Sequence, residues 1–305
     1  MADALQLEVV MRYHERTKHG FNRFAAGPGQ LDWANQPDPF RHYEGAALTR
    51  LPRLAADGTP RPPAYERLYA HGAVASERVD VRSLSRLLEY ALALSAWKQF
   101  GGARWALRSN PSSGNLHPTE GYVLIGGIAE LGESPGLFHY APREHGLERR
   151  ADCPQVLFTR LVRGFPPQAF FVGLSSVYWR EAWKYGERAF RYCQHDAGHA
   201  IGALRIAAAT LGWSAVVLEE IGDDAIEALL GIDRSADFGG AERENGELLL
   251  ALWPGNATRT PLNLEAEAVR EFARQRWYGK ANRLSADDPV KWEVIDQVSA
   301  SSRKP

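Results

Sequence analysis

Apolar residues recur at helical spacing in five parts of the chain. In residues 81–100 they repeat every three or four positions, with Asp80 placed as the N-cap and Gly101 and Gly102 at the end. The longest pattern, residues 186–211, predicts a largely buried helix. The remaining predicted helices cover residues 5–18, 223–231 and 262–277, the last of them polar and followed by a charged tail.

Short runs of β-branched and aromatic residues predict the strands. The runs at 121–127 and 169–179 are strongly apolar, which is typical of buried strands. Residues 136–150 predict a β-hairpin with its turn at 141–146, and two further strands are predicted at 213–220 and 246–255. Because a hairpin interrupts the alternation of strands and helices, the order favours an α+β fold with a mixed sheet over strict βαβ repetition.

Residues 20–64 fit neither a helix nor a strand. They hold too many Gly and Pro residues for regular elements. They also hold too many large apolar residues for a free linker, among them Phe21, Phe24 and Trp33. The segment therefore predicts an irregular arm that packs along a surface.

Composition narrows the class of protein. The 305 residues include 36 basic and 37 acidic side chains, for a formal net charge of −1, and 45% are hydrophobic. Such a chain can build a core, and it lacks the basic excess typical of nucleic-acid binding. No apolar run is long enough for a membrane helix, and the charged first residues lead us to expect no signal peptide. The two cysteines, Cys153 and Cys193, form no disulfide framework, which favours a cytoplasmic location.

A polar loop, SNPSSGN at residues 109–115, lies between a predicted helix and a predicted strand. Its two adjacent hydroxyls, its Asn and a Gly that allows close backbone approach are suited to holding the polar edge of a planar heterocycle. The same residue types are common in capping turns. Local chemistry alone leaves both interpretations open.

The segment WREAWKYGER, residues 179–188, follows an apolar strand. A Lys beside a Tyr among tryptophans is suited to proton transfer, because apolar surroundings favour the neutral amine and a neighbouring cation favours the ionised phenol. Alternatively, the segment is a helix start whose Arg and Glu residues form solvated pairs.

Three further segments carry polar groups. HDAGH, residues 195–199, has the spacing of the HExxH zinc motif with Asp in place of Glu, but it lacks an evident third ligand, and tight packing of a small-residue helix explains it as well. Residues 219–223 lie at a strand end, where ligands often bind in α/β sheets, or they form a plain acidic loop. Residues 256–259 add one guanidinium near a turn.

Together these segments resemble the nitroreductase superfamily, and within it the SagB-type FMN-dependent dehydrogenases, the branch that contains azoline oxidases. Residues 110–123 look like the family's flavin-contacting loop and the strand after it, and KYGER at 184–188 looks like its KYGxR segment. Residues 187–211 are similar to the long helix that follows, and VLEEIG at 217–222 corresponds to the loop over the flavin. The likeness covers residues 64–260. It demotes the zinc interpretation, since the AGH element recurs in that fold without a metal.

The resemblance implies roles for individual residues. Lys184 and Tyr185 match the family's proposed catalytic pair. The residues expected to contact FMN are Pro111, Ser112, Ser113, Asn115, Glu219, Glu220, Ile221 and Gly222. The Arg-Arg-Ser run that holds the FMN phosphate in many relatives has no counterpart here. The candidates that take its place are Arg78, Arg82, Arg86, Arg108 and, from the other end, Arg259.

The resemblance also implies an architecture and a reaction. The expected fold is α+β, with a mixed, mostly antiparallel sheet flanked by helices and FMN in a groove shared by a homodimer. The expected division is a helix and arm at 1–63, an FMN-binding domain at 64–260 and a helix and tail at 261–305, with both extensions wrapping the partner.

The expected reaction is hydride transfer between a substrate carbon and flavin N5, with Lys184 or Tyr185 removing a proton. The substrate is a small molecule or a modified peptide. Alternatives are an NAD(P)H-dependent nitro or quinone reductase and a non-catalytic scaffold with the same fold.

Overall fold

A computed structural model describes residues 2–54, 62–70, 72–257 and 262–305 of the chain. Its helices are α1 (Ala2–Thr17), α2 (Val81–Ala91), α3 (Gln155–Leu161), α4 (Tyr178–Tyr185), α5 (Ala189–Thr210), α6 (Asp223–Leu230), α7 (Ser235–Phe238), α8 (Ala266–Ala273) and α9 (Glu293–Ser301). Its strands are β1 (Tyr43–Glu44), β2 (Leu48–Arg50), β3 (Leu94–Phe100), β4 (Ala103–Arg108), β5 (Thr119–Ile125), β6 (Gly136–Ala141), β7 (Gly146–Asp152), β8 (Phe170–Ser176), β9 (Trp213–Val217), β10 (Asn245–Pro254) and β11 (Lys280–Ala281). None of the described helices is long and apolar enough to span a bilayer.

A seven-stranded sheet with the order β2-β7-β6-β5-β8-β10-β9 forms the centre of the fold. Each ladder between neighbouring strands of this sheet is antiparallel. The predicted α+β class is therefore confirmed, and the strand runs at 121–127, 136–150, 169–179, 213–220 and 246–255 all belong to this sheet.

Helices cover both faces of the sheet, which explains why β5 and β8 are buried at every position. Side chains alternate along β5, so that Tyr122 and Leu124 face one core while Val123 and Ile125 face the other. The first core is closed by α3, α6 and α8, and the second by α2 and α5. The long predicted helix at 186–211 is confirmed as α5, preceded by a short 3-10 turn at Gly186–Arg188.

The helix predicted for residues 81–100 is wrong in its second half. Asp80 caps α2 as expected, through bonds to the backbone of Arg82 and Ser83, but α2 ends at Ala91. Residues 94–108 then form the hairpin β3–β4. Gly101 and Gly102 both have positive φ, +54° and +87°, as a type I′ hairpin turn requires. The two glycines therefore turn a hairpin rather than end a helix.

The segments at either end of the chain are more ordered than the sequence predicts. Strand β2, inside the expected arm, pairs with β7 of the central sheet, and β1 pairs with β11. The expected charged tail contains α9, whose Ile295 and Val298 are buried. Helix α8, although shorter than the predicted 262–277, contributes Phe272 to a core. The expected boundary at 260/261 lies outside the described residues. The division at 63/64 and the wrapping of a partner by both extensions stay predictions.

Candidate active site

The SNPSSGN loop joins β4 to β5 and turns sharply. Gly114, Asn115 and His117 have φ of +60°, +61° and +52°, a conformation that is uncommon for residues with a Cβ. Side chains within the loop fix this shape. Ser112 Oγ accepts from His117 N at 2.8 Å, Asn115 Nδ2 donates to the carbonyl of Ala106 at 2.8 Å, and Asn115 Oδ1 lies 2.9 Å from His117 Nε2.

Asp196 of α5 holds the loop from below. Its carboxylate accepts from Ser113 N at 3.0 Å and from Ser113 Oγ at 3.1 Å, and it is fully buried. Sequence analysis placed Asp196 only in the zinc-like HDAGH segment and missed this role. Of the two histidines in that segment, His199 is half exposed and its Nδ1 lies 3.7 Å from Asp196 Oδ1. No group of three metal-ligating side chains occurs among the described residues.

Lys184 and Tyr185 reach the loop at Gly114. They end α4, and a Cβ built on Gly114 would lie 2.5 Å from Tyr185 Oη and 3.0 Å from Lys184 Nζ. Only a glycine leaves room for both end groups at this point. The structure thus brings the proposed catalytic pair and the expected flavin-contacting loop into one site.

Tyr185 is a phenol rather than a phenolate at neutral pH. Burial raises the pKa of Tyr185, and the nearby carboxyls of Glu181 and Asp196 raise it further. The expectation that the neighbouring cation favours the ionised form is wrong, because burial opposes ionisation of the phenol. The centroid of the Tyr185 ring lies 4.5 Å from the centroid of the Tyr192 ring.

Arg180 connects α4 to the far side of the loop. Its guanidinium donates to the carbonyl of His117 at 2.8 Å and pairs with Glu120. Glu120 also bonds His139 Nε2 at 3.0 Å, and Glu148 bonds His139 Nδ1 at 2.9 Å. The solvated ion pairs weighed as an alternative for residues 179–188 are therefore wrong for Arg180, which is fully buried.

Charges in this network are set by their partners. Burial opposes ionisation of Glu120, but the Arg180 and His139 cations hold the pKa of Glu120 down to about 2. Burial opposes protonation of His139, yet its bonds to Glu120 and Glu148 raise the pKa of His139 to about 9. The network is thus charged at neutral pH and braces the loop and the start of β5.

The second expected flavin-contacting loop, residues 219–222, lies elsewhere along the sheet. It follows β9, with Glu219 and Glu220 exposed and Ile221 buried. Lys304 Nζ donates to the carbonyl of Glu219 at 2.9 Å, and the carbonyl of Pro305 occupies the place of a Cβ on Gly222. The chain's own last residues therefore brace this loop.

Both loops leave the same end of the sheet, but not side by side. The start of β5 pairs with the end of β8, and the end of β8 also pairs with the start of β10. Strand β9 is antiparallel to β10 and therefore runs towards the start of β10. Three strand spacings, about 14 Å, separate β5 from β9. Within one chain the two expected flavin-contacting loops therefore lie along the same end of the sheet but adjoin strands that are not neighbours.

A polar cavity of about 410 Å³ lies at the opposite end of β9. Arg67, Ser76, Ser214 and Asn256 contribute polar groups to its lining. Arg67 and Ser76 were missed by sequence analysis, because each is a single polar residue in an irregular stretch.

The arginines expected to bind the FMN phosphate differ in burial and in how far their guanidinium groups are already paired within the protein. Arg108 is buried and donates to the carbonyls of Pro39 and Thr119, so its guanidinium is already used. Arg86 is buried against Glu77, and the exposed Arg78 pairs with Asp80 at 2.9 Å. Arg82 is exposed. Arg259 lies outside the described residues, three positions after Asn256.

Comparison with known proteins gives concordant matches. The family model described as the nitroreductase family matches residues 74–241, more than half of the chain. A Methanocaldococcus jannaschii protein whose name places it among the nitroreductases is 27% identical over 161 residues, which make up 52% of this chain and 77% of that protein.

Solved structures show a similar fold. An Anabaena variabilis protein described as a nitroreductase matches with a TM-score of 0.58 and 26% identity, over 89% of this chain and 55% of that one. The chain thus spans about half the length of the Anabaena protein. The E. coli microcin synthetase McbBCD complex matches with a TM-score of 0.44 and 16% identity, over 84% of this chain and 93% of that one, a likeness too distant to carry an argument.

Proposed function

The chain belongs to the nitroreductase family, and on that premise we propose that it is a SagB-type dehydrogenase in which Lys184 and Tyr185 move the proton that accompanies hydride transfer. Family membership makes the chain an FMN-dependent oxidoreductase. The observation that carries the finer proposal is the meeting of Lys184 Nζ and Tyr185 Oη at the backbone of Gly114.

The residues present fit a flavin. At Gly114 the exposed backbone has no Cβ, and the space that a Cβ would fill adjoins the Lys184 amino group and the Tyr185 phenol. Such a surface lets a flat ring approach closely and offers it polar partners. At the far end of β9, the polar cavity offers Arg67, Ser76 and Asn256 to a phosphate.

FMN, when bound, supplies the site at N5 that exchanges a hydride with a substrate carbon. The chain's own residues hold and orient the reactants. We assign the polar edge of the ring to the SNPSSGN loop and residues 219–222, and the phosphate to Arg67, Asn256 and Arg259. The side chains of Ser112, Ser113 and Asn115 already form hydrogen bonds with other protein groups. Their main contribution is therefore to fix the shape of the loop.

Lys184 and Tyr185 handle the proton. Tyr185 Oη carries a proton at neutral pH, as an ordinary phenol does, and burial raises its pKa further. It is therefore suited to donate a hydrogen bond to a substrate heteroatom. Lys184 Nζ lies at the same glycine and is the group we assign as the base. A substrate whose carbon loses a hydride while its neighbour loses a proton fits this arrangement, as the azoline ring of a modified peptide does.

We further propose a homodimer in which each site is completed by the partner. The strands next to the two expected flavin-contacting loops, β5 and β9, are three strand spacings apart within one chain, about 14 Å. The β3–β4 hairpin, which leads directly into the SNPSSGN loop, exposes Trp97, Phe100 and Trp105, with Phe100 81% exposed. Aromatic side chains exposed together in this way are typical of a protein contact surface.

Reconstitution with FMN followed by anaerobic mixing tests the proposed reaction. The loaded protein is mixed with either NADPH or a thiazoline-containing peptide, and the flavin absorbance is followed. We expect the peptide to bleach the flavin. Bleaching by NADPH alone contradicts the dehydrogenase and supports the alternative nitro or quinone reductase. A protein that takes up no FMN contradicts both and supports a scaffold.

A further inference from the structure

Glu181 is a buried acid with no assigned task. It lies on α4, three and four residues before Lys184 and Tyr185, and therefore one helical turn away on the same side of the helix. Its side chain is fully buried, and neither carboxyl oxygen has a hydrogen-bond partner within the described parts of the chain. A carboxylate without a donor is strongly disfavoured in such a place.

The groups around Glu181 decide where a charge can reside. Asp196 and Cys193 on α5, and Lys184 and Tyr185 on its own helix, are near enough for their charges to interact with that of Glu181. Asp196 is equally buried, but Ser113 donates to it through both its backbone N–H and its hydroxyl. Of the two neighbouring carboxyl groups, Asp196 is thus the one equipped to be ionised.

We propose that Glu181 is a positioning residue for the Lys184–Tyr185 pair: it stays a neutral carboxylic acid, so that of these two buried carboxyls Asp196 alone is charged beneath the SNPSSGN loop. The role of the pair itself rests on the proposed function. Ionisation of Glu181 would place a second negative charge near Asp196. That charge would weaken the hydrogen bonds between Asp196 and Ser113 and would favour the neutral form of Tyr185.

The direction of the pKa shift agrees with this geometry. Burial, and then the negative charge of Asp196, raises the pKa of Glu181 to about 9, while Lys184 opposes the shift. The pKa of Glu181 is higher in the folded state than in the unfolded state. Its pH-dependent contribution to the unfolding free energy is therefore full below the unfolded pKa, about 4.3, and is lost as pH rises through 9.

Chemical denaturation of the full chain from pH 5 to pH 8.5 tests the neutral state. Glu181→Gln keeps the shape of the protonated acid and cannot ionise. We expect the ratio of the folding equilibrium constants, Glu181→Gln over wild type, to rise by about tenfold per pH unit. A constant ratio overturns the proposal. Should Glu181→Gln fail to fold, Glu181→Met gives the same comparison. Glu220→Gln, at an exposed position, is the control and should show no such slope.

Titration of the Tyr185 phenol tests the positioning effect. Ultraviolet difference spectra between proteins with Tyr185 and with Tyr185→Phe isolate this phenol, in the wild-type and Glu181→Gln backgrounds. We expect its midpoint to fall to a lower pH in the Glu181→Gln background, because the charge that Glu181 acquires in alkali is absent. An unchanged midpoint overturns the positioning role. Neither measurement needs FMN or substrate, so failure of the proposed reaction is a separate result.

Discussion

Replacing Gly114 with Ala tests the contact on which the proposed site depends. A residue with a Cβ at φ +60° costs about 1–2 kcal/mol of unfolding free energy. The Cβ would also lie 2.5 Å from Tyr185 Oη, where ordinary contact needs about 3.5 Å, so that hydroxyl must move by about 1 Å. Because such a displacement of a catalytic group costs on the order of 10²-fold in rate, we expect flavin reduction to slow by that factor.

Gly239→Ala is the matched control. Gly239 has φ +49°, and a Cβ there meets no heavy atom within 4 Å. Both variants should lose about 1–2 kcal/mol in urea denaturation, but only Gly114→Ala should be slow when substrate reduces the flavin in a stopped-flow instrument. If Gly114→Ala loses the stability and keeps the wild-type rate, the reasoning about the Gly114 contact is refuted.

The remaining predictions concern stability and pH. Gly186→Ala should lower the unfolding free energy by on the order of 3 kcal/mol, because Gly186 has φ +52° and a Cβ there would lie 2.7 Å from the carbonyl oxygen of Ala26. Urea denaturation measures this loss. A loss no larger than that of Gly239→Ala contradicts the prediction. Asp196→Ala should speed hydrogen exchange of the Ser113 amide, whose acceptor it removes. Since the folded pKa of His139 is raised, its stabilisation is full below about pH 6.5 and is lost as pH rises through 9, by at most about 3 kcal/mol. His139→Gln should remove this part of the pH dependence, and an unchanged pH dependence contradicts it.

Much of the fold follows from local pattern. Strands β5 and β8 are buried at every position and largely apolar because helices cover both faces, and α5 shows helical spacing over 22 residues. The family resemblance singled out the loop at 109–115 and the KYGER segment, because their local chemistry alone left a capping turn and a helix start as open alternatives.

Other features depend on contacts that no local pattern contains. The 81–100 helix was overextended because the apolar spacing of α2 runs into a hairpin whose aromatic residues are exposed rather than buried. Asp196 and Arg180 hold the SNPSSGN loop from positions 83 and 63 residues away. Burial of Glu181 and of Tyr185 likewise comes from packing, and the burial of Tyr185 is the largest cause of its raised pKa.

The rate of flavin reduction in Lys184→Ala tests the assigned chemistry most directly. FMN-loaded wild type and Lys184→Ala are mixed anaerobically with a thiazoline-containing peptide, and the flavin absorbance is followed through a single turnover. If Lys184 removes the substrate proton, the variant, compared with wild type at the same FMN content, should bleach its flavin on the order of 10²-fold more slowly. Equal rates at equal FMN content would contradict the assignment of Lys184.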